Sequence, residues 1–145
     1  MTKVELATKV AFSHLGTFYS WGGDDPSGFD CSGFVIEILK SVGLLRRRFD
    51  TTSRGLFKIF ENNLITEPRE GCLVFYVNIN EKIVHVEYCL DDTFKIGATG
   101  GGSDIKDKED AILANAFIKV RPIESDRRLK IFVDPFGMSR QDDIA

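Results

Sequence analysis

Cys31 and His85 have the types of side chain that nucleophilic catalysis needs. Asp30 is a favourable helix N-cap, so it places Cys31 in the first turn of the helix that follows. A helix N-terminus stabilises anions, and a thiolate is the nucleophile that attacks an amide carbonyl. The alternative is a buried structural cysteine, because a small apolar side chain of this kind is common in protein cores. The local sequence leaves these two interpretations evenly open.

His85 lies in the segment 83–90, whose alternation and β-branched residues are typical of a strand. Side chains of a strand point alternately to two faces, so Val84 and Val86 are expected on one face and His85 and Glu87 on the other. A single strand histidine is more often a packed core residue than a catalyst. A histidine on a strand and a cysteine at a helix start are nevertheless the parts of a Cys–His dyad, in which the imidazole takes the thiol proton and returns it to the leaving amine.

Helical patterns fill the first half of the chain and strand patterns fill the second. The first helix is expected to begin with a capping box made by Thr2 and Glu5. Its buried face is predicted to consist of Val4, Ala7, Ala11 and Leu15. Helices are predicted over residues 3–15, 31–42 and 53–61, with a further helical turn inside 104–115, and strands over 72–77, 83–90, 94–98, 116–120 and 130–133. Helices followed by an antiparallel sheet predict the α+β class.

Composition sets the class of the protein. The chain has 145 residues, 43% of them hydrophobic and 28% charged, which predicts one globular domain over residues 1–145. Its formal net charge of -3 lacks the basic footprint of a nucleic-acid-binding domain. The short basic run Arg46–Arg48 is read as an exposed loop, with a contact to an anionic substrate as the alternative. No apolar run approaches the length of a membrane-spanning helix, so no membrane partner is expected.

The three cysteines predict no disulfide scaffold, because the number is odd and no signal peptide precedes them. Neither their spacing nor the two histidines form a metal-site pattern, so we expect no metal or other cofactor. Cys72 and Cys89 are interpreted as structural. The residues 1–5 lack the apolar segment of a signal peptide, so synthesis in the cytoplasm is expected.

Four segments, in order, resemble the NlpC/P60 family of cysteine peptidases. Phe18–Gly23 and Gly28–Phe34 carry the Trp-Gly-Gly and Asp-Cys-Ser-Gly blocks of its signature, while Gly71–Tyr76 and Ile83–Val86 resemble two of its strands. The resemblance runs from about residue 6 to residue 98. It implies a papain-like fold, with N-terminal helices packed on a central antiparallel sheet. It also implies cleavage of bacterial peptidoglycan stem peptides, typically between D-γ-glutamyl and the diamino acid.

The resemblance also implies roles for individual residues. Cys31 matches the nucleophile and His85 the general base. Tyr19 matches a tyrosine beside the thiol that can assist the oxyanion site, although ordinary aromatic packing is an equal alternative. The Cys31 backbone amide is another candidate oxyanion donor, and Trp21–Gly23 would shape the loop beside the cleft.

One family feature is missing at its usual place. The family's third polar residue, often a histidine that orients the base, falls at Gly97, which has no side chain. Thr99, Glu87 or a backbone carbonyl are the candidates for this orienting role. Cys72 stands where the family usually has an aspartate.

The segments 98–103 and 115–136 are similar to phage-encoded members of the family. This similarity favours a phage lysin or a tail-associated wall hydrolase that acts after lysis or as part of a particle, with phage tail proteins as further partners. Two alternatives stay open. One is a catalytically inactive binding or structural module of a phage, and the other is a cysteine amidase or acyltransferase with a different substrate.

Overall fold

A six-stranded antiparallel sheet with helices against one of its sides forms the body of the protein. The computed structural model describes residues 1–20, 24–25, 28–99, 108–114 and 116–144. In chain order its helices and strands are α1 (Lys3–Ser13), β1 (Asp24–Asp25), β2 (Gly28–Phe29), α2 (Cys31–Ser41), α3 (Ser53–Phe60), β3 (Leu64–Ile65), β4 (Leu73–Val77), β5 (Ile83–Cys89), β6 (Phe94–Thr99), α4 (Lys108–Ala114), β7 (Phe117–Pro122) and β8 (Leu129–Val133). The strands of the large sheet lie in the order β3-β8-β4-β5-β6-β7, and β1 pairs with β2 alone. This arrangement confirms the α+β prediction.

Each of the first three helices begins at a residue that caps it. Thr2 and Glu5 form the predicted capping box of α1. The Asp30 carboxylate accepts a hydrogen bond of 2.6 Å from the backbone amide of Gly33 at the start of α2, and Thr52 caps α3 in the same manner. These caps satisfy amides that have no partner inside the helix, so they fix where each helix begins.

The prediction that Leu15 belongs to the buried face of α1 is wrong. Val4, Ala7 and Ala11 are buried as expected, but the helix ends at Ser13 and Leu15 is 53% exposed. The reason is geometric, because the heptad-like spacing that places Leu15 on the apolar face holds only while the helix continues.

The two sides of the large sheet differ in what covers them. On one side, apolar strand residues pack against α1, α2 and α3; we call this the helix side. Its fully buried strand residues include Leu73, Phe75, Val86, Tyr88, Ile96 and Ala98. The opposite side, which we call the outer side, has a small apolar cluster of Cys72, Val74, Tyr76, Cys89 and Ile123. Cys31 packs against the helix-side core, whereas Tyr76, the pairing partner of His85, belongs to the cluster on the outer side.

A β-bulge lies next to His85. Tyr76 pairs with His85, but the next residue of β4, Val77, pairs with Ile83, which leaves Val84 as the extra residue of β5. Val84 is 38% exposed, whereas Ile83 packs against the helix-side core. The inserted residue interrupts the strict alternation from which Val84 and Val86 were predicted to share a face. Bulges of this kind re-aim neighbouring side chains, and here the neighbour is His85.

The short strands β1, β2 and β3 escaped the sequence pattern because two residues carry no periodicity. The other strand bounds agree with prediction to within two residues, and the predicted helical turn inside 104–115 is α4. The predicted cleft loop at Trp21–Gly23 falls outside the described residues. None of the helices in the described ranges has the length and apolar character that a membrane span requires.

Candidate active site

Cys31 and His85, which are distant in sequence, meet through a hydrogen bond between their side chains. Cys31 is the first residue of α2 and is half-buried, while the His85 side chain is 13% exposed. The helix start is fixed by the Asp30 cap and the direction of the imidazole is influenced by the bulge at Val84. The fold therefore brings a thiol and an imidazole together at the edge of an open cleft.

The cleft is a cavity of about 480 Å³ over the Cys31–His85 pair. Its lining combines hydroxyl groups with one guanidinium and few apolar side chains. The lining residues are Tyr19, Asp30, Cys31, Ser32, Thr52, Ser53, Val84, His85, Ala98, Thr99 and Arg128. A cavity of this size and polarity accommodates a short polar peptide segment.

Glu87 contacts the other side of the imidazole. Its Oε2 atom lies 2.9 Å from His85 Nε2, which leaves Nδ1 for the Cys31 thiol. The same oxygen lies 2.6 Å from Lys95 Nζ and 3.6 Å from Arg121 Nη2. Glu87 and Lys95 are both fully buried. The imidazole is thus held between a thiol and a carboxylate that has its own buried counter-ion.

Gly97 leaves the space that the Glu87 side chain occupies. A Cβ atom added to Gly97 would lie 2.4 Å from Glu87 Cγ, 2.6 Å from Oε1 and 2.8 Å from Cδ. These separations are shorter than any allowed contact between carbon and carbon or oxygen. The position that the resemblance assigns to the orienting residue is therefore filled by a side chain that comes from β5.

The other candidate for the orienting role, Thr99, has a different contact. Its hydroxyl accepts a hydrogen bond of 2.9 Å from Arg121 Nη2. Thr99 lines the cleft, so it lies near the reacting groups, but the carboxylate of Glu87 is the group bonded to the ring.

The environment of His85 favours its protonated form. Burial lowers the pKa of His85, but hydrogen bonds with Cys31 and Glu87, together with the charges of those two groups, outweigh burial and raise the pKa to about 9. An imidazolium at neutral pH is the partner that a thiolate requires. The raised pKa suits His85 to hold the proton that the Cys31 thiol releases.

The buried charges beneath the imidazole support one another. Burial on its own would raise the pKa of Glu87, but the hydrogen bond and charge of His85 and the charge of Lys95 lower it below its ordinary value. Burial lowers the pKa of Lys95, and the charge of Glu87 opposes that effect. Glu87 is consequently a carboxylate at neutral pH, where His85 is an imidazolium.

Tyr19 is buried and lines the same cleft as Cys31. Its position is compatible with both alternatives, packing and assistance to an oxyanion. The amides of Cys31 and Ser32 belong to the first turn of α2 and have no acceptor inside the helix, so they are candidate oxyanion donors. Asp30 is engaged as the cap of α2, in agreement with its expected role.

Lys95 and Arg128 are site residues that had no role in the sequence prediction. Arg128 lies at the cleft wall, where Asp126 holds its guanidinium through Nε and Nη2 at 2.5–3.1 Å and the Tyr76 ring lies 5.4 Å away. No motif marks either residue. The alternation of β6 does place Lys95 on the same face as Gly97 and Thr99, which was the one available signal.

The remaining cysteines are opposed across β4 and β5, away from the cleft. Cys72 and Cys89 are fully buried, as expected of structural residues, and neither forms a disulfide. The hydrogen bond between the thiols lowers the pKa of Cys72 and raises that of Cys89. In the ranges that the structure covers, no group of His, Cys, Asp and Glu side chains has the arrangement of a metal site. Arg46–Arg48 are exposed and are not among the residues that line the cleft.

Comparison with known sequences places the cleft residues, except Arg128, inside a family match. The sequence model of the NlpC/P60 family matches residues 16–122. The "Probable endopeptidase p60" of Listeria seeligeri is 34% identical over 93 residues, which is 63% of this chain and 17% of that protein. The "Murein DD-endopeptidase MepH" of Escherichia coli is 38% identical over 81 residues, 51% of this chain and 29% of that protein. The chain thus spans less than a third of the length of these two relatives.

Comparison with solved structures supports the fold. The NlpC/p60 domain of the peptidoglycan hydrolase SagA superposes with a TM-score of 0.69 at 23% identity, covering 90% of this chain and 97% of that one. NlpC2 from Trichomonas vaginalis superposes with a TM-score of 0.70 at 16% identity, covering 92% of this chain and 47% of that one. At these identities the likeness concerns the fold, and it agrees with the predicted papain-like arrangement of helices on a central sheet.

Proposed function

We propose, on the premise that this chain belongs to the NlpC/P60 family, that it is a cysteine endopeptidase that hydrolyses peptide bonds of bacterial peptidoglycan. The observation that carries the proposal is the hydrogen bond between Cys31, at the start of α2, and His85 on β5. The relatives named as an endopeptidase p60 and a murein endopeptidase support the same class of substrate.

The geometry supports nucleophilic catalysis with Cys31 as nucleophile. Cys31 gives its proton to His85, and the thiolate attacks the carbonyl carbon of the scissile amide. First-turn amides of α2 and the Tyr19 hydroxyl are the candidates to stabilise the oxyanion that forms. The imidazolium of His85 then protonates the leaving amine, and a thioester remains on Cys31.

Hydrolysis of the thioester reverses these roles. His85, now neutral, removes a proton from water as the water attacks the thioester carbonyl. Collapse of the second tetrahedral intermediate releases the carboxylic acid product and returns the proton and the thiolate to the Cys31–His85 pair. Each cycle consumes one water molecule and requires no other reactant.

The charge in the cleft suits a substrate that carries carboxylates. Arg128 presents a guanidinium to the cavity, and Asp126 fixes its orientation through two nitrogen atoms. A fixed guanidinium binds a carboxylate with defined geometry. This supports the finer proposal that the bond cut joins D-γ-glutamyl to the diamino acid of a stem peptide, where a free α-carboxylate adjoins the scissile amide.

We further propose the context of a phage lysin or tail-associated wall hydrolase, acting on the wall after lysis or as part of a particle. The support is the similarity of segments 98–103 and 115–136 to phage-encoded members of the family. Phage tail proteins are the partners that the second context requires.

The structure bears differently on the two alternative functions, the inactive module and the amidase or acyltransferase. The argument for an inactive module was the missing orienting residue, and the contact between Glu87 and His85 removes that argument. No observation favours an amidase or acyltransferase with another substrate over the peptidoglycan endopeptidase. Both of these enzymatic functions require a working thiol.

The test is digestion of purified peptidoglycan by the wild type and by Cys31→Ala, with the fragments identified by mass spectrometry. We expect stem-peptide fragments from the wild type alone, and their masses identify the bond. Cys31→Ala should unfold at the same temperature as the wild type, which shows that the loss is chemical. If wild type and variant release the same fragments, or neither releases any from several wall types, the proposed function is wrong.

A further inference from the structure

We propose that Glu87 is the positioning residue for His85 and that Lys95 is the buried counter-ion of Glu87. The glycine at position 97 leaves the space that the Glu87 side chain occupies. In this arrangement the residue that orients the base lies on β5, whereas the family resemblance assigns that role to a position on β6. The inference rests on the proposed Cys31–His85 chemistry and assigns the group that orients the base.

The register of the sheet places the two positions side by side. β5 and β6 pair Tyr88 with Ile96 and Cys89 with Lys95, and continuing this antiparallel register by one step brings Glu87 opposite Gly97. Directly opposed residues of a sheet have their Cβ atoms about 5 Å apart on the same face. A side chain at either position can therefore reach the ring of His85, but the space between the strands holds only one.

The two arrangements exclude each other. A Cβ at position 97 would lie 2.4 Å from Glu87 Cγ and 2.6 Å from Oε1, so even alanine would displace the carboxylate from its present place. Glu87 Oε1 has no hydrogen-bond partner among the described residues, and it faces this gap at Gly97. The carboxylate is therefore held by Oε2 alone, through His85 and Lys95.

Lys95 explains how a carboxylate is tolerated in this place. A buried unpaired carboxylate would take up a proton and become a weaker partner for an imidazolium. Lys95 Nζ lies 2.6 Å from Glu87 Oε2 and 4.3 Å from the centre of the Tyr76 ring. A fully buried lysine has no role in packing that an apolar residue would not fill better, so its presence is explained by the charge of Glu87.

Titratable and charged groups reach the His85 neighbourhood from several of the elements packed around it. Cys31 comes from α2, Glu87 from β5, Lys95 from β6 and Arg121 from β7. From the β8 side, Arg128 and Lys130 lie 5.4 Å and 5.8 Å from the Tyr76 ring, which stacks near His85 at 5.8 Å, and Asp126 pairs with Arg128. Glu87 is the one carboxylate among these groups that is bonded to the imidazole.

The first experiment measures the His85 titration by NMR in protein labelled on histidine. The chain has only two histidines, so His14 is an internal reference. We expect Glu87→Gln to lower the His85 midpoint by about 1 to 3 units, because an adjacent negative charge is lost. Glu124→Gln, at a carboxylate whose side chain is 82% exposed, is the matched control and should leave both midpoints unchanged. An unchanged His85 midpoint in Glu87→Gln overturns the proposal.

A second variant keeps the test valid if Glu87→Gln fails to fold. Glu87→Gln leaves Lys95 unpaired, so we include Glu87→Gln/Lys95→Met, which removes both charges and keeps the volume similar. The double variant should fold as the wild type does and show the same lowered His85 midpoint. A wild-type midpoint in a folded double variant overturns the proposal as well.

The second experiment transfers the orienting group back to β6. Glu87→Ala and Gly97→His should each lose activity, by about 10²- to 10⁴-fold in kcat with little change in KM, as expected when a base loses its orientation. The double variant Glu87→Ala/Gly97→His should recover at least tenfold over either single variant, because the clash is gone and a polar ring again faces His85. If the double variant is no more active than the singles, Glu87 and position 97 do not share this role and the proposal is wrong.

The two proposals fail in different ways. The NMR titration requires no substrate, so a Glu87-dependent His85 midpoint together with no digestion of peptidoglycan would overturn the proposed substrate and leave this inference standing. Digestion of peptidoglycan by a Glu87→Gln variant at the wild-type rate would overturn this inference and leave the proposed function standing.

Discussion

The two sides of the large sheet are built from the same strands but stabilised by different interactions. On the helix side, apolar residues such as Phe75 and Val86 pack against helices and are fully buried. On the outer side, Glu87 and Lys95 are just as buried but are charged, and each is stabilised by the other. Apolar burial tolerates many exchanges of similar volume, whereas a buried charge depends on one particular partner. The comparison predicts that the helix side determines stability and the outer side determines the state of the catalytic imidazole.

The largest effect on stability should follow from a cavity on the helix side. Phe34, three residues after Cys31 in α2, is fully buried, so Phe34→Ala should lower the free energy of unfolding by about 3–5 kcal/mol. Urea unfolding measures this change. Phe12→Ala removes the same ring from an exposed position of α1 and should cost far less. Equal losses in the two variants would contradict the importance of helix-side packing.

On the outer side, removal of one charge should cost more than removal of two. Lys95→Met leaves Glu87 with His85 and Arg121 as its remaining cationic neighbours and should cost about 1–3 kcal/mol. Glu87→Gln/Lys95→Met should recover most of that loss, because no buried charge is left unpaired. Urea unfolding of the two single variants and the double variant gives the coupling energy. Additive losses would show that the pair does not act as a unit.

The pH dependence of stability should separate the two sides further. The pKa of His85 is raised from an ordinary 6.5 to about 9 in the folded protein. Its contribution is therefore fully present below about pH 6.5 and is lost as the pH rises through 9, by up to about 1.4 kcal/mol per pH unit. Unfolding free energies of the wild type and His85→Asn, compared between pH 6 and 9.5, measure it. A difference that does not change with pH would refute the stabilised imidazolium.

The smallest effect should come from the Asp30 cap, which fixes the start of α2 at Cys31. Asp30→Ala removes the acceptor of the Gly33 amide and should cost about 1 kcal/mol. Asp30→Asn keeps a capping side chain and should retain most of that stability. Thermal unfolding compares the two variants, and a loss of similar size in both would indicate that the charge of Asp30, rather than its hydrogen bond, is what matters.

The helix side was predictable from sequence because its buried residues recur with the period of their helix or strand. The capping box of α1, the start of α2 at Cys31 and the long strands all followed from local patterns of capping and alternation. The pattern is less informative where periodicity is interrupted. Leu15 lies past the end of its helix, and Val84 is the inserted residue of a bulge.

The active site, with the charged residues of the outer side, was predictable only in part, because a charge pair produces no periodic sequence pattern. Cys31 and His85 were identified from residue type and family resemblance, and Glu87 was one of several candidates for the orienting role. Lys95 gained a role only when the structure placed its ammonium against Glu87. Arg128 reaches the cleft from a turn distant in sequence, and no local pattern contains that information.

The closeness of Gly97 to Glu87 also restricts how this site can change over evolutionary time. Starting from the present residues, introducing a side chain at position 97 first would collide with Glu87, and losing Glu87 first would leave His85 without a carboxylate. Both single steps pass through a less active protein, so the two positions are epistatic and should vary together among descendants of this chain. We expect related sequences to pair glycine at position 97 with a carboxylate at 87, or a larger polar residue at 97 with a small residue at 87.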